Sequence, residues 1–234
     1  MKAILTWFII IFIGLTNCFA DEMPNETIKS CYYQSYLHES QKRYADAISD
    51  LKAVYLKYPN TYTINYRLGW LYYLNQNFAN AITHLNQATA VFPQSAETIK
   101  VLILIYQAQE NWVEVETLAV QLLKRSYYSI DGNYWYAIAL KMQGKYALAI
   151  KIVNKMLAIQ PTSEIFLQEL GENLFLCEYI DDSKSLYTNM LILYPHNRIA
   201  QSYLNKIDTL KQKEADTTMN KNEAHVQNHF NLHK

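Results

Sequence analysis

Glycine and proline are scarce, with five of each in 234 residues. So few helix breakers suit an all-helical chain joined by short turns. Neither sign of charge predominates, since 21 basic residues balance 21 acidic ones. The basic field that non-specific nucleic-acid binding needs is therefore missing, and no nucleic-acid partner is expected. The glycines at 14, 69, 132, 144 and 171 are isolated, which excludes a phosphate-cradling loop. No Gly-x-Ser-x-Gly elbow, His-Glu-x-x-His or paired Cys-x-x-Cys occurs. We expect no enzyme, no cofactor and no metal centre. Three cysteines agree with export but add little.

Half of the residues are hydrophobic, enough for one sizeable domain, and 20 are tyrosine. The tyrosines need places on helix faces, with the ring partly buried and the hydroxyl wet. The stretch Thr61–Gln94 shows how. Leu68, Gly69, Leu71 and Tyr72 recur at helical spacing, as do Ala81, Ile82, Leu85 and Ala88. Asn75-Gln76-Asn77 separates the two sets as a turn, Asn60-Thr61 offers capping oxygens, and Pro93 stops the second helix. Gly69 and Ala81 allow the two helices to approach closely.

This two-helix unit recurs. Prolines at 59, 93, 161 and 195 share one 34-residue register. The second-helix starts agree, at Tyr44-Ala45-Asp46-Ala47-Ile48, Phe78-Ala79-Asn80-Ala81-Ile82 and Tyr146-Ala147-Leu148-Ala149-Ile150. Trp112 and Ile180 fill the aromatic position in weaker copies. A fixed period of this length is the signature of a solenoid.

The pattern resembles the tetratricopeptide repeat family. Leu68, Gly69, Tyr72, Ala81, Leu85, Ala88 and Pro93 stand at the family's signature positions, whereas Asn65 departs from its usual tryptophan. The resemblance implies an all-α, right-handed α-solenoid of stacked antiparallel helix pairs. Five copies are expected over 28–195, at 28–61, 62–95, 96–129, 130–163 and 164–196. The copy at 96–129 is degenerate, with Ile103 for Gly, Val115 for Ala and Tyr127 for Pro. The last has Ser183 for Ala, and the first has Ser35 for Gly and His38 for the aromatic. In such a stack Cys31 and Cys177 lie too far apart to bridge, so they read as small buried hydrophobes or as a thiol pairing between chains.

The ends differ from the repeats. Lys2, an apolar run over Ala3–Leu15 and the exit Cys18-Phe19-Ala20 read as an export signal over 1–20, with cleavage after Ala20. An uncleaved anchor and lipidation of Cys18 are the alternatives, and the only routes to a membrane. Residues 21–27 form a linker. An amphipathic helix over 197–212 reads as the carboxyl cap. Residues 213–234 are polar and expected to be disordered. His225, His229 and His233 there have metal-like spacing, read as coincidence.

Carrying the family's groove positions over implies a partner-binding wall. It comprises Tyr32, Tyr36, Tyr66, Trp70, Tyr73, Lys100, Tyr134, Lys141 and Phe175, with Leu104, Gln107, Ile138, Gln168 and Glu172 between them. Tyr72 and Tyr106 read as packing. The expected function is a scaffold binding a protein or peptide in an aromatic groove, in the periplasm or secreted. Tyr32 and Tyr36 stand where some family members hold a Lys and an Asn for acidic chain ends, which argues against that ligand. Binding of glycan or cell wall, an enzyme-associated role, and a self-associating subunit stay open.

Overall fold

The computed structural model describes residues 22–231, with side chains as far as Met219. The export signal expected over 1–20 lies outside these residues, as do the side chains of His225, His229 and His233. The described residues contain twelve helices and no strand. They are α1 (Asn25–Ser40), α2 (Tyr44–Asp50), α3 (Lys52–Lys57), α4 (Tyr62–Leu74), α5 (Phe78–Val91), α6 (Ala96–Ala108), α7 (Trp112–Arg125), α8 (Ile130–Met142), α9 (Tyr146–Leu157), α10 (Glu164–Leu176), α11 (Ile180–Leu193) and α12 (Arg198–Asn231).

The helix starts repeat the sequence period. Tyr62, Ala96, Ile130 and Glu164 open first helices 34 residues apart, and Tyr44, Phe78, Trp112, Tyr146 and Ile180 open second helices at the same interval. The turns within pairs repeat as well. Lys42, Gln76, Glu110, Gly144 and Glu178 each adopt a left-handed conformation, with φ between 55° and 74°. The amide one position later reaches back across the helix end, as in Asn77 N to Tyr72 O and Lys145 N to Leu140 O, both 2.9 Å. This Schellman arrangement satisfies carbonyls that the ending helix would otherwise leave open.

Three boundaries depart from expectation. The second helix of the first pair is interrupted at Leu51, whose amide bonds Ile48 O rather than the carbonyl four back. Thr61 makes no side-chain cap, its hydroxyl donating instead to Tyr58 O at 3.2 Å. The last helix does not stop at 212 but runs to Asn231. No proline or glycine follows Pro195, so nothing in the local chemistry ends it.

Two compact units make up the chain, one ending at Val101 and the other beginning at Leu102. In the first, α1 packs on α2, α2 and α3 on α4, and α4 on α5. Its core holds Ala47, Leu51, Val54, Ile64, Leu68 and Leu71, with Tyr32, Tyr55, Tyr58 and Tyr72 packed against it. Buried Asn65 shows what replaces an indole there. Its amide donates to Pro59 O at 2.6 Å and Thr61 O at 2.8 Å, tying the preceding loop to α4.

In the second unit each helix from α7 to α12 packs on the next. Ala137, Val153, Met156 and Phe166 form one buried cluster, and Leu167, Tyr187, Met190 and Ala200 another. Ile207 is wholly buried, so the first part of α12 belongs to the core. Asn133 repeats the loop tie of Asn65, donating to Tyr127 O and Ser129 O.

Candidate aromatic cleft

The first unit holds a cleft of about 320 Å³ between α1 and α4. Tyr32, Tyr36 and Glu39 line it from α1, and Thr63, Tyr66, Arg67 and Trp70 from α4. Residues four apart share a helix face, so each helix contributes two aromatics one turn apart.

A buried ionic arrangement fixes the shape. The Arg67 side chain is 7% exposed, and its guanidinium meets Glu39 Oε2 at 2.5 Å. Ser35 Oγ accepts a second bond at 3.3 Å, and the guanidinium lies 3.8 Å from the Tyr36 ring centroid. Trp70 Nε1 donates to the other Glu39 oxygen at 2.7 Å. Glu39 thus ties the arginine and the indole of α4 to α1, and the two charges cancel. Nε of Arg67 has no partner among the described residues.

The hydroxyls of Tyr32, Tyr36 and Tyr66 take part in none of the hydrogen bonds among the described residues. Burial pushes the Tyr32 phenol up to about 12, helped by the neighbouring Tyr36. Burial, then the charge of Glu97, also raises Tyr66. Both stay protonated donors at neutral pH. Tyr66 stacks on Tyr62, with centroids 5.8 Å apart and planes within 6°. Tyr36 is 56% exposed, the most accessible ring of the cleft.

Of the sequence-derived wall, Tyr32, Tyr36, Tyr66 and Trp70 come together here. Tyr73 does not line the cleft; it packs between Trp70, 5.6 Å away, and Phe78. Lys100 is exposed on α6. The other residues of that wall have neighbours within the fold. Lys141 is buried and pairs with Glu169 at 2.9 Å and Glu172 at 2.7 Å. Although burial works against its charge, the two carboxylates raise its pKa. Phe175 is covered by α12, edge-on to Tyr203 at 5.3 Å with Lys206 over its face. Tyr134 packs half-buried against the Ala137 cluster.

Sequence reasoning missed Glu39, Thr63 and Arg67. Glu39 lies three residues after Tyr36 and so shares its face, a signal that was available. Arg67 follows Tyr66 directly, and its inward placement had no local signature.

The tetratricopeptide repeat family matches residues 39–103. No curated protein matches the chain. Among solved structures, a MamA protein is 18% identical with a TM-score of 0.62, covering 72% of this chain and 92% of its own. MamA from Desulfovibrio magneticus RS-1 is 12% identical with a TM-score of 0.66, covering 76% and 99%. A tetratricopeptide repeat protein from Parabacteroides merdae is 16% identical with a TM-score of 0.57, covering 76% and 77%. At these identities the likeness establishes the fold, that of helical solenoids. Residues 39–103 thus carry the tetratricopeptide repeat pattern, and the described helices share the fold of tetratricopeptide repeat proteins.

Proposed function

We propose that this chain is an exported, non-catalytic scaffold of five 34-residue repeats that binds a protein or peptide in the α1/α4 cleft. The observation that carries the reading is the cleft itself. Two tyrosines, a third tyrosine and a tryptophan converge around a neutralised ion pair. Tyr and Trp supply large contact area with little rotamer entropy to lose, and they dominate binding hot spots. The Glu39 ties hold the walls before any partner arrives, which lowers the ordering cost of association. Export rests on the apolar run Ala3–Leu15 and the small residue Ala20 that follows it.

A photo-crosslinking residue placed at exposed Thr63 tests the binding reading in the native host. We expect it to trap a protein partner, and a second substitution, Tyr36→Ser, to abolish the adduct without changing thermal stability. Absence of any protein adduct at Thr63, or an adduct indifferent to Tyr36→Ser, refutes the assignment. Amino-terminal sequencing of the secreted chain checks export, with Asp21 as the expected first residue.

A further inference from the structure

α12 begins in register with the repeats but does not end as they do. Arg198 opens it at the same 34-residue interval that separates Tyr62, Ala96, Ile130 and Glu164. The turn of a sixth pair would fall at Gln212, the counterpart of Gln76 and Glu178. Gln212 is helical instead, and the helix runs on to Asn231. Lys211 already pairs with Asp181, the second residue of α11, so α12 has there reached the far end of the helix beside it. Residues 212–231 carry it on for about 30 Å at the helical rise.

This extension is a poor helix by itself. It includes four asparagines, two threonines and two histidines, all weak helix formers. Short isolated helices are marginal in water even when rich in alanine, and a helix this polar draws its stability from packing one face. Such a face is present. Leu204, partly buried against the Tyr187 cluster, marks the side of α12 that meets the core. Eleven residues make about three turns, so Ala215 and then Val226 fall in register with it. Met219 and Phe230 follow those two by four positions each and hold the same register. In the single chain Ala215 is exposed and Met219 is 61% exposed.

The spacing of the stripe points to its occupant. Ala215, Met219, Val226 and Phe230 are separated by four, seven and four positions, an order that reads the same from either end. A two-fold dimer needs such self-complementarity, because each position must meet another of the same stripe. A partner of unrelated sequence imposes no such symmetry. Antiparallel pairing about the midpoint between Asn222 and Glu223 sets Ala215 against Phe230 and Met219 against Val226. Small then meets large and medium meets medium, which keeps the volume even along the seam. Parallel pairing would set Ala215 on Ala215 and Phe230 on Phe230, a gap in one place and crowding in another.

We propose that α12 is a dimerisation element, in which the 212–231 segments of two copies of this chain pair antiparallel along Ala215, Met219, Val226 and Phe230. This surface is separate from the aromatic cleft and does not rest on the reading given for it. Sedimentation equilibrium of the mature full-length chain should show a concentration-dependent dimer. Met219→Lys, which puts a charge at both symmetry-related seam positions, should weaken it roughly tenfold or more, while the thermal midpoint of the dilute chain stays in place. Mild oxidation of an equimolar mixture of Met219→Cys and Val226→Cys should give a heterodimer whose 219–226 link is mapped by peptide mass spectrometry. Neither variant alone should link through its new thiol.

A monomer at every concentration overturns the proposal. So does a dimer indifferent to Met219→Lys, because its contact then lies elsewhere. Self-linking of Met219→Cys overturns it as well, since that link reports parallel pairing.

Discussion

Tyr187 lies flat across Gly171, so closely that a Cβ on the glycine would fall 2.5 Å from the Tyr187 Cζ. The same contact recurs three periods earlier, where a Cβ on Gly69 would fall 2.6 Å from Leu85 Cγ. At the equivalent position of α6 the bulk is reversed: Ile103 is buried on the first helix, and wholly buried Ala119 stands at the second-helix position. Ala137 and Val153 divide the volume more evenly within one cluster. Close packing demands this reciprocity, because a surplus or deficit of one methylene is felt in a dense interior.

Gly171→Ala should therefore destabilise the chain by about 1–3 kcal/mol through overpacking. Ile103→Gly should lose about 2–5 kcal/mol through its cavity, and Ala119→Leu about 1–3 kcal/mol through crowding. The double variant Ile103→Gly, Ala119→Leu should recover part of both losses. Denaturant unfolding of the four proteins measures the coupling, expected to be favourable and about 0.5–3 kcal/mol. Strict additivity would show that the two positions do not share space.

The left-handed turns give a second prediction. Only Gly144 among the five turn residues tolerates that conformation without strain from a Cβ. Gln76→Gly and Glu178→Gly should each stabilise by about 1 kcal/mol, and Gly144→Ala should lose a similar amount. Apart from its two chain neighbours, no heavy atom of the described residues lies within 4 Å of a Cβ added at Gly144, so its effect reports backbone conformation alone. Thermal midpoints of the three variants provide the check.

A third prediction concerns pH. His84 stacks on Tyr72 at 5.3 Å, edge-on to Tyr55 at 5.0 Å, with Nδ1 3.0 Å from Asn65 Oδ1. Burial lowers its pKa below the ordinary 6.5. The folded chain prefers neutral His84, so its contribution is complete above the unfolded value and is lost as pH falls below it. The thermal midpoint should drop between neutral pH and pH 5, and His84→Phe should reduce that slope. An unchanged slope in the variant would place the acid sensitivity elsewhere.

The length of α12 gives a fourth. Tyr203 donates to Glu172 at 2.8 Å and stacks on Tyr187, while Lys184 pairs with Asp208 at 2.6 Å and Lys211 with Asp181. Residues 208–219 are exposed. Removing residues 213–234 should leave the thermal midpoint unchanged, whereas Ile207→Ala should destabilise by about 2–5 kcal/mol. Circular dichroism of the truncated chain should show helix lost in proportion to the residues removed.

The helical period was legible because it is local chemistry: prolines, apolar spacing and aromatic helix starts all repeat along the chain. The left-handed turns were hidden, since Lys42, Gln76, Glu110 and Glu178 carry no glycine to announce them. The run of α12 past 212 was also hidden, because polar composition alone does not distinguish a solvated helix from a disordered tail. For the site, the aromatic pairs were readable from spacing on each helix. What separated Trp70 from Phe175 was not, since Lys206 and Tyr203 cover Phe175 from about 30 residues away. Lys141 likewise looked like a surface cation until Glu169 and Glu172 met it from the following pair.

The matched bulk within each pair bears on how such a gene can be recombined. A chimaera joined just before Tyr62 or Glu164 inherits both halves of every match from one parent. A joint placed at Gln76 or Glu178 parts Gly69 from Leu85, or Gly171 from Tyr187, and invites a foreign isoleucine against a leucine. Crossovers in this lineage should therefore survive between helix pairs and be purged from the turns within them.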